Sequence, residues 1–326
     1  MKNILIISGS GDAHAEHMCN ILIYKKIPFF LLLSNKYPFE AQITLDLENN
    51  YIIEHQNKKI SLDSNWSIWN RRIFSPDFPK NFPKNLEEIV IEESKRTLQS
   101  LIVMHKGLVI NSPFDNFRAN NKLEQLRYAK KIGLNIPDTV ITNEPEKAKD
   151  FYERHNGNII FKMQKLPIIK IENDVYKTIL TNKISYEDFI NNFERIRNNP
   201  CFFQEKIEKR YEIRLTIIGK KLFPIAIYSQ NSEISRDDFR RYDFDKVEYK
   251  YVEIPEDVTK KTLKLMEYYG LHYAAIDIIY TPGDKYVFLE VNPNGQYLWT
   301  EEMSGVPITE SFADYLSGFK NHPKRF

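Results

Sequence analysis

Several residues that mark specialised protein classes are scarce in this sequence. Only two of its 326 residues are cysteines, Cys19 and Cys201, which cannot build a zinc site alone and give no sign of a disulfide framework. Glycine is also scarce, with 11 residues, whereas phenylalanine and tyrosine contribute 21 and 19. This balance argues against disorder and collagen-like repeats, and we find no internal repeat or low-complexity tract.

The sequence also lacks a charge excess and a long hydrophobic run. Its 46 Lys and Arg residues nearly balance 44 Asp and Glu residues, for a formal net charge of +2, so no overall field favours nucleic acid or a membrane as partner. Apolar runs such as residues 27–33 are too short to span a bilayer, and no charged-then-apolar leader precedes them. We therefore expect a soluble, cytoplasmic protein of two or three domains.

The most informative stretch is residues 271–300, which predicts a β-hairpin. Two strands, residues 273–280 and 285–291, flank a Thr-Pro-Gly-Asp turn, in which Pro presets φ and Gly tolerates a positive φ. If Tyr280 pairs with Lys285, side-chain alternation assigns the two faces of the hairpin. One face then carries Asp277, Phe288, Glu290 and Asn292, and the apolar core face carries Ile276, Ile278, Val287, Leu289 and Val291. A bulge would change this parity.

The polar face of this hairpin predicts a site for a hard cation. Asp277 and Glu290 would be diagonal neighbours, about 7–8 Å apart at the backbone, so both side chains could reach one ion. Carboxylate and amide oxygens are the ligands that Mg²⁺ prefers, often together with substrate phosphates. The alternative is a hairpin with acids on its wet face. The scarcity of other solvating residues on this face favours the metal site.

The N-terminal residues predict an α/β unit. Residues 2–8 and 28–33 read as buried strands, and a Gly-rich turn and a helix over 13–25 lie between them. The turn lacks a full GxGxxG, so we interpret it as fold architecture rather than as a phosphate site. Arg71 and Arg72, at the end of a later strand, could face a cleft and hold an anion, or form a solvated pair.

Two lysines stand where a bound anion would explain them. Lys122 lies in the first turn of a predicted helix over residues 122–132, where a cation gains nothing from the helix dipole. Lys162 interrupts an apolar strand over residues 158–163, and a buried Lys needs a counter-charge. An ordinary surface Lys remains the simplest alternative for Lys122, whereas a phosphate-binding role is favoured for Lys162.

Residues 212–218 and 221–230 predict a second antiparallel pair, joined by Gly219-Lys220 in a type II′ turn. In this register Glu212, Arg214 and Thr216 share one face. Two lysines, a Gln-Glu pair, an Arg-bearing strand and an Asp…Glu-x-Asn hairpin thus follow one another along the chain. Phosphoryl transfer from ATP needs such cations for phosphates and such acids for Mg²⁺. No P-loop and no kinase HRD or DFG motif occurs.

The same motifs, in the same order, resemble the ATP-grasp ligases. The sequences FQEKI, DFRRYD and AIDIIY…FLEVNPNGQYLW carry the likeness over residues 112–319, and IISGSGDAHAEHM and IWNRR extend it to the N-terminus. More narrowly, the chain is similar to the microviridin-type (graspetide) peptide macrocyclases. This resemblance implies an α/β (α+β) ATP-grasp fold with three parts. We expect a Rossmann-like pre-ATP-grasp domain over residues 1–112, a central subdomain over 113–199 and a C-terminal subdomain with the metal site over 200–326.

The resemblance implies the cofactors and site residues by position. ATP would be held by phosphate-contacting Lys122 and Lys162 and by an adenine hinge of Gln204, Glu205, Lys206 and Ile207. Mg²⁺, expected as two ions, would be held by Asp277, Glu290 and Asn292. Glu212 would meet the ribose or the substrate. Arg214, Arg240 and Arg241 are candidates to hold the γ-phosphate and the substrate carboxylate, and Asp238 is a candidate to accept a proton from the attacking hydroxyl.

The family's activity implies a ribosomal precursor peptide, with leader and core, as partner. An Asp or Glu side chain would be phosphorylated and then attacked by a Thr or Ser hydroxyl, which closes an ω-ester ring. Three alternatives remain: ω-amide formation by a Lys, a RimK-like amino-acid ligase, and an inactive leader-binding module. The resemblance also implies a homodimer. The expected glycine-containing loop over the phosphates is absent, so we interpret residues 165–181 as a hairpin that docks a peptide, or as a plain structural hairpin.

Overall fold

The N-terminal part of the chain is built on a parallel sheet. The computed structural model describes residues 1–48, 50–164, 169–170, 176–177, 180–236, 238–241 and 243–318. The four parallel strands have the order β2-β1-β6-β7, and a separate antiparallel meander contains β3, β4 and β5. The strands are β1 (Asn3–Ser8), β2 (Phe29–Leu33), β3 (Ala41–Leu45), β4 (Tyr51–His55), β5 (Lys58–Ser61), β6 (Trp66–Asn70) and β7 (Val109–Ile110); the helices are α1 (Ala13–Tyr24) and α2 (Lys84–Met104). The predicted α/β unit is confirmed.

The central part is an antiparallel sheet with helices. Helices α3 (Pro113–Ala119) and α4 (Lys122–Lys131) lead into it, and Asn121 caps α4 by accepting a hydrogen bond from the Glu124 amide across 3.0 Å. The sheet has the order β12-β9-β13-β8. Its elements are β8 (Thr139–Thr142), α5 (Pro145–Arg154), β9 (Ile159–Lys162), β12 (Asn182–Lys183), α6 (Tyr186–Asn191) and β13 (Cys201–Glu205).

The hairpin predicted over residues 165–181 falls largely outside the described residues. Two short strands, β10 (Ile169–Lys170) and β11 (Tyr176–Lys177), pair antiparallel, as a hairpin requires. The residues between them, 171–175, and the flanking residues 165–168 and 178–179 are not described. Peptide docking at this hairpin stays a prediction.

The C-terminal part contains the largest sheet, five antiparallel strands in the order β16-β15-β14-β17-β18. Helices α4 and α7 cover one face and bury a core that includes Leu126, Leu265 and Ile276. The last helix, α9, packs against the N-terminal sheet through Ile308, Phe312 and Leu316. The elements are β14 (Tyr211–Ile218), β15 (Lys221–Ile227), β16 (Tyr249–Tyr251), α7 (Glu256–Tyr269), β17 (Tyr273–Tyr280), β18 (Tyr286–Asn292), α8 (Leu298–Ser304) and α9 (Ile308–Ser317). The domain boundaries at 112 and 199 stay predictions.

The register predicted for the 273–291 hairpin is wrong in two places. Tyr280 pairs with Tyr286 rather than Lys285, so the turn is one residue longer and Phe288 faces the core opposite Ile278. A bulge then shifts the register by one more residue, and Glu290 lies directly opposite Asp277 instead of diagonal to it. The two shifts cancel in parity, so Asp277, Glu290 and Asn292 still share a face. Phe288 was wrongly assigned to the polar face, and Val287 and Leu289 to the core face.

The predictions for the second antiparallel pair are confirmed. Ile218 pairs with Lys221, and Gly219 has a φ of +58°, as the first central residue of a type II′ turn requires. The side chains of Ile213, Leu215 and Ile217 enter the core, while Arg214 lies opposite Asp277 on the other face. The sheet therefore places Arg214 beside Asp277, one of the residues predicted to bind Mg²⁺.

Candidate active site

A row of two carboxylates and one amide lies on the open face of the C-terminal sheet. Asp277 of β17 and Glu290 of β18 are cross-strand partners. The Asn292 Nδ2 lies 3.2 Å from the Asp277 Oδ2 and 3.2 Å from the Glu290 Oε1. The amide nitrogen therefore lies where a cation shared by both carboxylates would lie. The metal roles of these three residues stay predictions.

Each acid of the row contacts a cation from a different element. The Lys122 Nζ, at the start of α4, contacts the Glu290 Oε2. The Arg214 Nη1 donates to the Asp277 Oδ1 across 2.8 Å, and its Nη2 donates to the Gln296 carbonyl oxygen across 2.8 Å. Arg214 is only 7% exposed and thus fixes the β17 acid to the loop after β18.

The electrostatic environment of the two acids differs. Burial would raise the pKa of Glu290, but the positive charges of Lys122 and Lys162 outweigh it and hold this pKa well below its usual range. Burial raises the pKa of Asp277, and the Arg214 charge offsets only part of that effect. Glu290 is therefore the acid that is more firmly ionised.

Lys162 of β9 and Gln204 of β13 lie on neighbouring strands of the central sheet, and their side chains contact each other. The Lys162 Nζ donates to the Gln204 Oε1 across 3.0 Å, and the Gln204 Nε2 donates to the Thr139 Oγ1 across 3.0 Å. Burial lowers the pKa of Lys162 to about 8, partly offset by the nearby Glu290 charge. A phosphate beside this ammonium would supply the counter-charge that burial demands.

Glu212 of β14 is buried beside the cleft that the two lysines and the two acids line. Its carboxylate contacts the Lys209 Nζ and accepts a hydrogen bond from the Ser229 hydroxyl. Burial raises the pKa of Glu212, and Lys209 and Ser229 offset part of this effect. Glu212 is thus a fixed polar group at the cleft wall.

Asp238 and Arg240 form a closed pair. The Arg240 Nε donates to Asp238 Oδ1 across 2.8 Å, its Nη2 donates to Oδ2 across 2.6 Å, and the Thr181 amide donates to Oδ2 across 3.1 Å. Burial works against ionisation of Asp238, but the Arg240 hydrogen bonds and charge outweigh it and lower the pKa of Asp238. An acid whose two oxygens are both occupied is poorly placed to accept a proton.

The structure brings most of the predicted residues to one cleft. Arg241 lies apart: it is exposed, and its Nη2 donates to the Asn182 Oδ1 across 2.6 Å. Arg214 and Asn292 contact the carboxylates but are not among the residues that line the cleft. The predicted residues that line the cleft are Lys122, Lys162, Gln204, Glu205, Lys206, Ile207, Glu212, Asp238, Arg240, Asp277 and Glu290.

Sequence reasoning missed the apolar part of this cleft. The cleft is also lined by Ile160 of β9 and Met163 just after it, by Ile279 and Leu289 of the C-terminal sheet, and by Phe239. Alternation from Lys162 points to Ile160, and alternation from Asp277 points to Ile279. Leu289 lies on the cleft face because the turn is one residue longer than the sequence predicted, which moves Val287 and Leu289 to the face of Asp277.

The donor set fits Mg²⁺ and a nucleotide. Among the residues described, no three His, Cys, Asp or Glu side chains gather into a metal site, so a cation here would have two carboxylates and one amide as protein ligands. Mg²⁺ commonly takes one or two carboxylates and completes its shell with water and substrate phosphates. Apolar walls beside lysines suit a base attached to phosphates.

The fold and this cleft define an ATP-grasp ligase, and comparison with known proteins gives the same class. A family model of the MvdD pre-ATP grasp domain matches residues 3–117, and one of the RimK-like ATP-grasp domain matches residues 119–316. The chain therefore belongs to the RimK-like ATP-grasp family, whose members bind ATP. The predicted ATP-grasp fold is confirmed.

Solved structures extend the likeness to the whole chain. The macrocyclase MdnC from Microcystis aeruginosa, bound with precursor peptide MdnA, superposes with a TM-score of 0.85 at 27% identity, covering 97% of this chain and 99% of that one. A RiPP-associated ATP-grasp ligase from Chryseobacterium gregarium, in complex with ADP and a leader and core peptide, gives a TM-score of 0.89 at 28% identity, covering 98% and 97%. The predicted likeness to graspetide macrocyclases is confirmed.

A curated relative is more distant. The alpha-aminoadipate–LysW ligase LysX of Sulfurisphaera tokodaii is 23% identical over 208 residues, which are 62% of this chain and 68% of that protein. Among the residues described, no helix has the length and apolar character needed to cross a membrane.

Proposed function

We propose that this protein is an ATP- and Mg²⁺-dependent peptide macrocyclase. It phosphorylates Asp or Glu side chains of a ribosomally made precursor peptide and closes ω-ester rings with Thr or Ser hydroxyls. The observation that carries this proposal is the Asp277–Glu290–Asn292 row, met in one cleft by the lysines Lys122 and Lys162. The full-length likeness to two enzymes whose structures contain precursor peptides supports it.

The residues of the cleft divide between cofactor and substrate. Asp277, Glu290 and Asn292 would hold Mg²⁺, as two ions, which neutralises charge on the transferred phosphoryl group. Lys122 and Lys162 hold the phosphates. Gln204, Glu205, Lys206 and Ile207 form the adenine hinge, and Glu212 meets the ribose or the substrate.

Two bonds form in the proposed reaction. A side-chain carboxylate oxygen bonds to the γ-phosphorus and ADP leaves. A hydroxyl oxygen then bonds to the acyl carbon, phosphate leaves, and the hydroxyl proton passes to the departing phosphate or to water. Arg240 stabilises the anions brought together, while Arg214, which contacts Asp277, and the exposed Arg241 add positive charge from outside the cleft. The position of Asp238 favours a role as anchor of Arg240 over the proton acceptor that the sequence predicted.

The proposal includes two further expectations. The leader of the precursor docks on the 165–181 hairpin, and the enzyme is a homodimer. The homodimer comes from the family likeness, whereas docking at the hairpin comes from the absence of the glycine-containing loop that the family would have there. The peptide complexes of two relatives support a peptide partner.

An amino-acid ligase is the second candidate, because the RimK-like model and LysX both match this chain. Its product would gain the mass of an amino-acid residue, that is, of the amino acid less one water, whereas closure of a ring loses one water. An ω-amide product is separated from an ω-ester by mild base, which hydrolyses only the ester. An inactive binding module is disfavoured because the acid row and both lysines are present.

The experiment that tests carboxylate phosphorylation uses a precursor peptide encoded beside this gene, with isotopically heavy oxygen in its Asp and Glu side chains. After incubation with this protein, ATP and Mg²⁺, heavy oxygen is expected in the released phosphate. Ring closure with unlabelled phosphate would contradict activation of the peptide carboxylate.

A further inference from the structure

Strand β18 is the outermost strand of its sheet, yet its outer edge is covered. Edge strands present unpaired backbone amides and carbonyls unless another group satisfies them. The Asn135 carbonyl oxygen accepts from the Phe288 amide across 2.8 Å, and the Asn135 Nδ2 donates to the Tyr286 carbonyl oxygen across 3.1 Å. These bonds fix the strand on the turn side of the bulge.

Gln125 of α4 fixes the strand on the other side of the bulge. Its Oε1 accepts from the Val291 amide across 2.8 Å, and its Nε2 donates to the Val291 carbonyl oxygen across 2.9 Å. The Nε2 also donates to the Ala119 carbonyl oxygen, before α4. This side chain, 1% exposed, pairs with β18 as a neighbouring strand would.

The segment between these two attachments is Leu289–Glu290, where the bulge lies. The bulge brings Glu290 directly opposite Asp277, in the place that Leu289 would take in a regular register. An edge strand held on only one side could relax to the regular register, which would shift Glu290 relative to Asp277.

Gln125 and Lys122 are three residues apart on α4, so they share one helix face. The same helix therefore holds β18 at Val291 and places the Lys122 ammonium on the adjacent Glu290. We propose that Gln125 is a positioning residue: its amide holds the bulged β18 segment on α4, so that Glu290 meets Asp277 and Lys122 in the arrangement that binds the Mg²⁺–nucleotide. This inference rests on the nucleotide-binding part of the proposed function.

The test compares Gln125→Met, which keeps length but removes every hydrogen bond, with Thr262→Val as a matched control. Thr262 is also fully buried, and its hydroxyl donates only to the Thr259 carbonyl oxygen within α7. ADP affinity is measured by calorimetry over a Mg²⁺ series, and amide exchange is measured for residues 289–291. For Q125M we expect about tenfold weaker ADP binding in Mg²⁺, a smaller loss without it, and faster exchange. T262V should change neither the ADP affinity nor the amide exchange of residues 289–291.

Two further variants separate positioning from general stability. Gln125→Glu, neutral when buried, keeps an acceptor and one donor and should restore most of the affinity. In a Glu290→Gln background, Q125M should weaken ADP binding no further, because the group it positions is gone. The inference would be overturned by wild-type ADP affinity in Q125M, by an undiminished effect of Q125M on ADP binding in the E290Q background, or by loss of folding in both Gln125 variants. If the ADP-binding results are as predicted but the protein closes no ring, only the macrocyclase proposal would be contradicted.

Discussion

Arg214 and Asp277 lie directly opposite each other on β14 and β17, and the arginine donates to the carboxylate across 2.8 Å in a buried position. Removing one partner of a buried pair leaves an uncompensated charge. The pair thus anchors the acid row to the centre of the sheet. The stability of the fold therefore depends on a pair that includes the site residue Asp277.

We expect Arg214→Met to lower the free energy of unfolding by about 3 kcal/mol or more, because Asp277 is then buried without its cation. The double variant R214M/D277N should recover part of this loss. Arg210→Met is the control, since the Arg210–Asp284 pair is exposed and should contribute at most about 1 kcal/mol. Urea unfolding measures all three. Equal losses for the two arginines would contradict the buried-pair account.

A second prediction concerns Gly295 in the ENPNGQ sequence. A Cβ at this position would lie 2.5 Å from the Ala275 Cβ and 2.8 Å from the Arg214 Nη2, so the loop or the arginine must move. We expect Gly295→Ala to weaken Mg²⁺-dependent ADP binding and to lower the melting temperature. Gly283→Ala is the matched control, because its nearest neighbour would be the Thr281 Oγ1 at 4.0 Å. Similar behaviour of the two variants would contradict close packing at Gly295.

A third prediction concerns acid stability. Burial, together with the Arg71 charge, lowers the pKa of His14 from 6.5 to about 4, and its ring packs edge-on against Tyr297 at 4.9 Å. Between these pH values the unfolded chain binds a proton that the folded chain does not, so stability falls as pH falls. We expect this to remove about 3 kcal/mol by pH 4. Unfolding of wild type and His14→Phe should therefore show a shallower acid slope for the variant. Parallel curves would exclude the role of His14.

A fourth prediction separates catalysis from recognition. Glu290→Gln removes one negative ligand of the row while it keeps the shape of the side chain, so turnover should be lost because charge on the phosphates is no longer balanced by a held metal. Binding of the precursor peptide, measured by fluorescence anisotropy, should persist. Surviving turnover would show that the metal assignment is wrong.

The grouping of the three polar residues could be predicted from the sequence, but the register of the hairpin could not. Alternation places Glu290 and Asn292 on one face of their strand, and Asp277 shares this face because the longer turn and the bulge cancel in parity. The strand itself carries no signal of the longer turn or of the bulge, which lies between the contacts of β18 with Asn135 and with Gln125. Correct grouping with a wrong register was the result.

Buried polar contacts between distant segments were likewise beyond sequence reasoning. Arg71, left open as a cleft or solvated residue, is buried and pairs with Asp12 across 3.3 Å. Helix α3 was not predicted, although Ser112 as cap and Pro113 at its first position are typical of a helix start. Predicting the burial of Arg71 requires the folded structure, whereas predicting helix α3 requires only the rules for helix starts.

The most direct test of the account is mass spectrometry of the precursor peptide encoded beside this gene, incubated with this protein, ATP and Mg²⁺. We predict stepwise loss of one water per ring, dependent on ATP and absent with E290Q. An unchanged peptide mass in the presence of bound nucleotide, or an increase by the mass of an amino-acid residue, would contradict macrocyclisation.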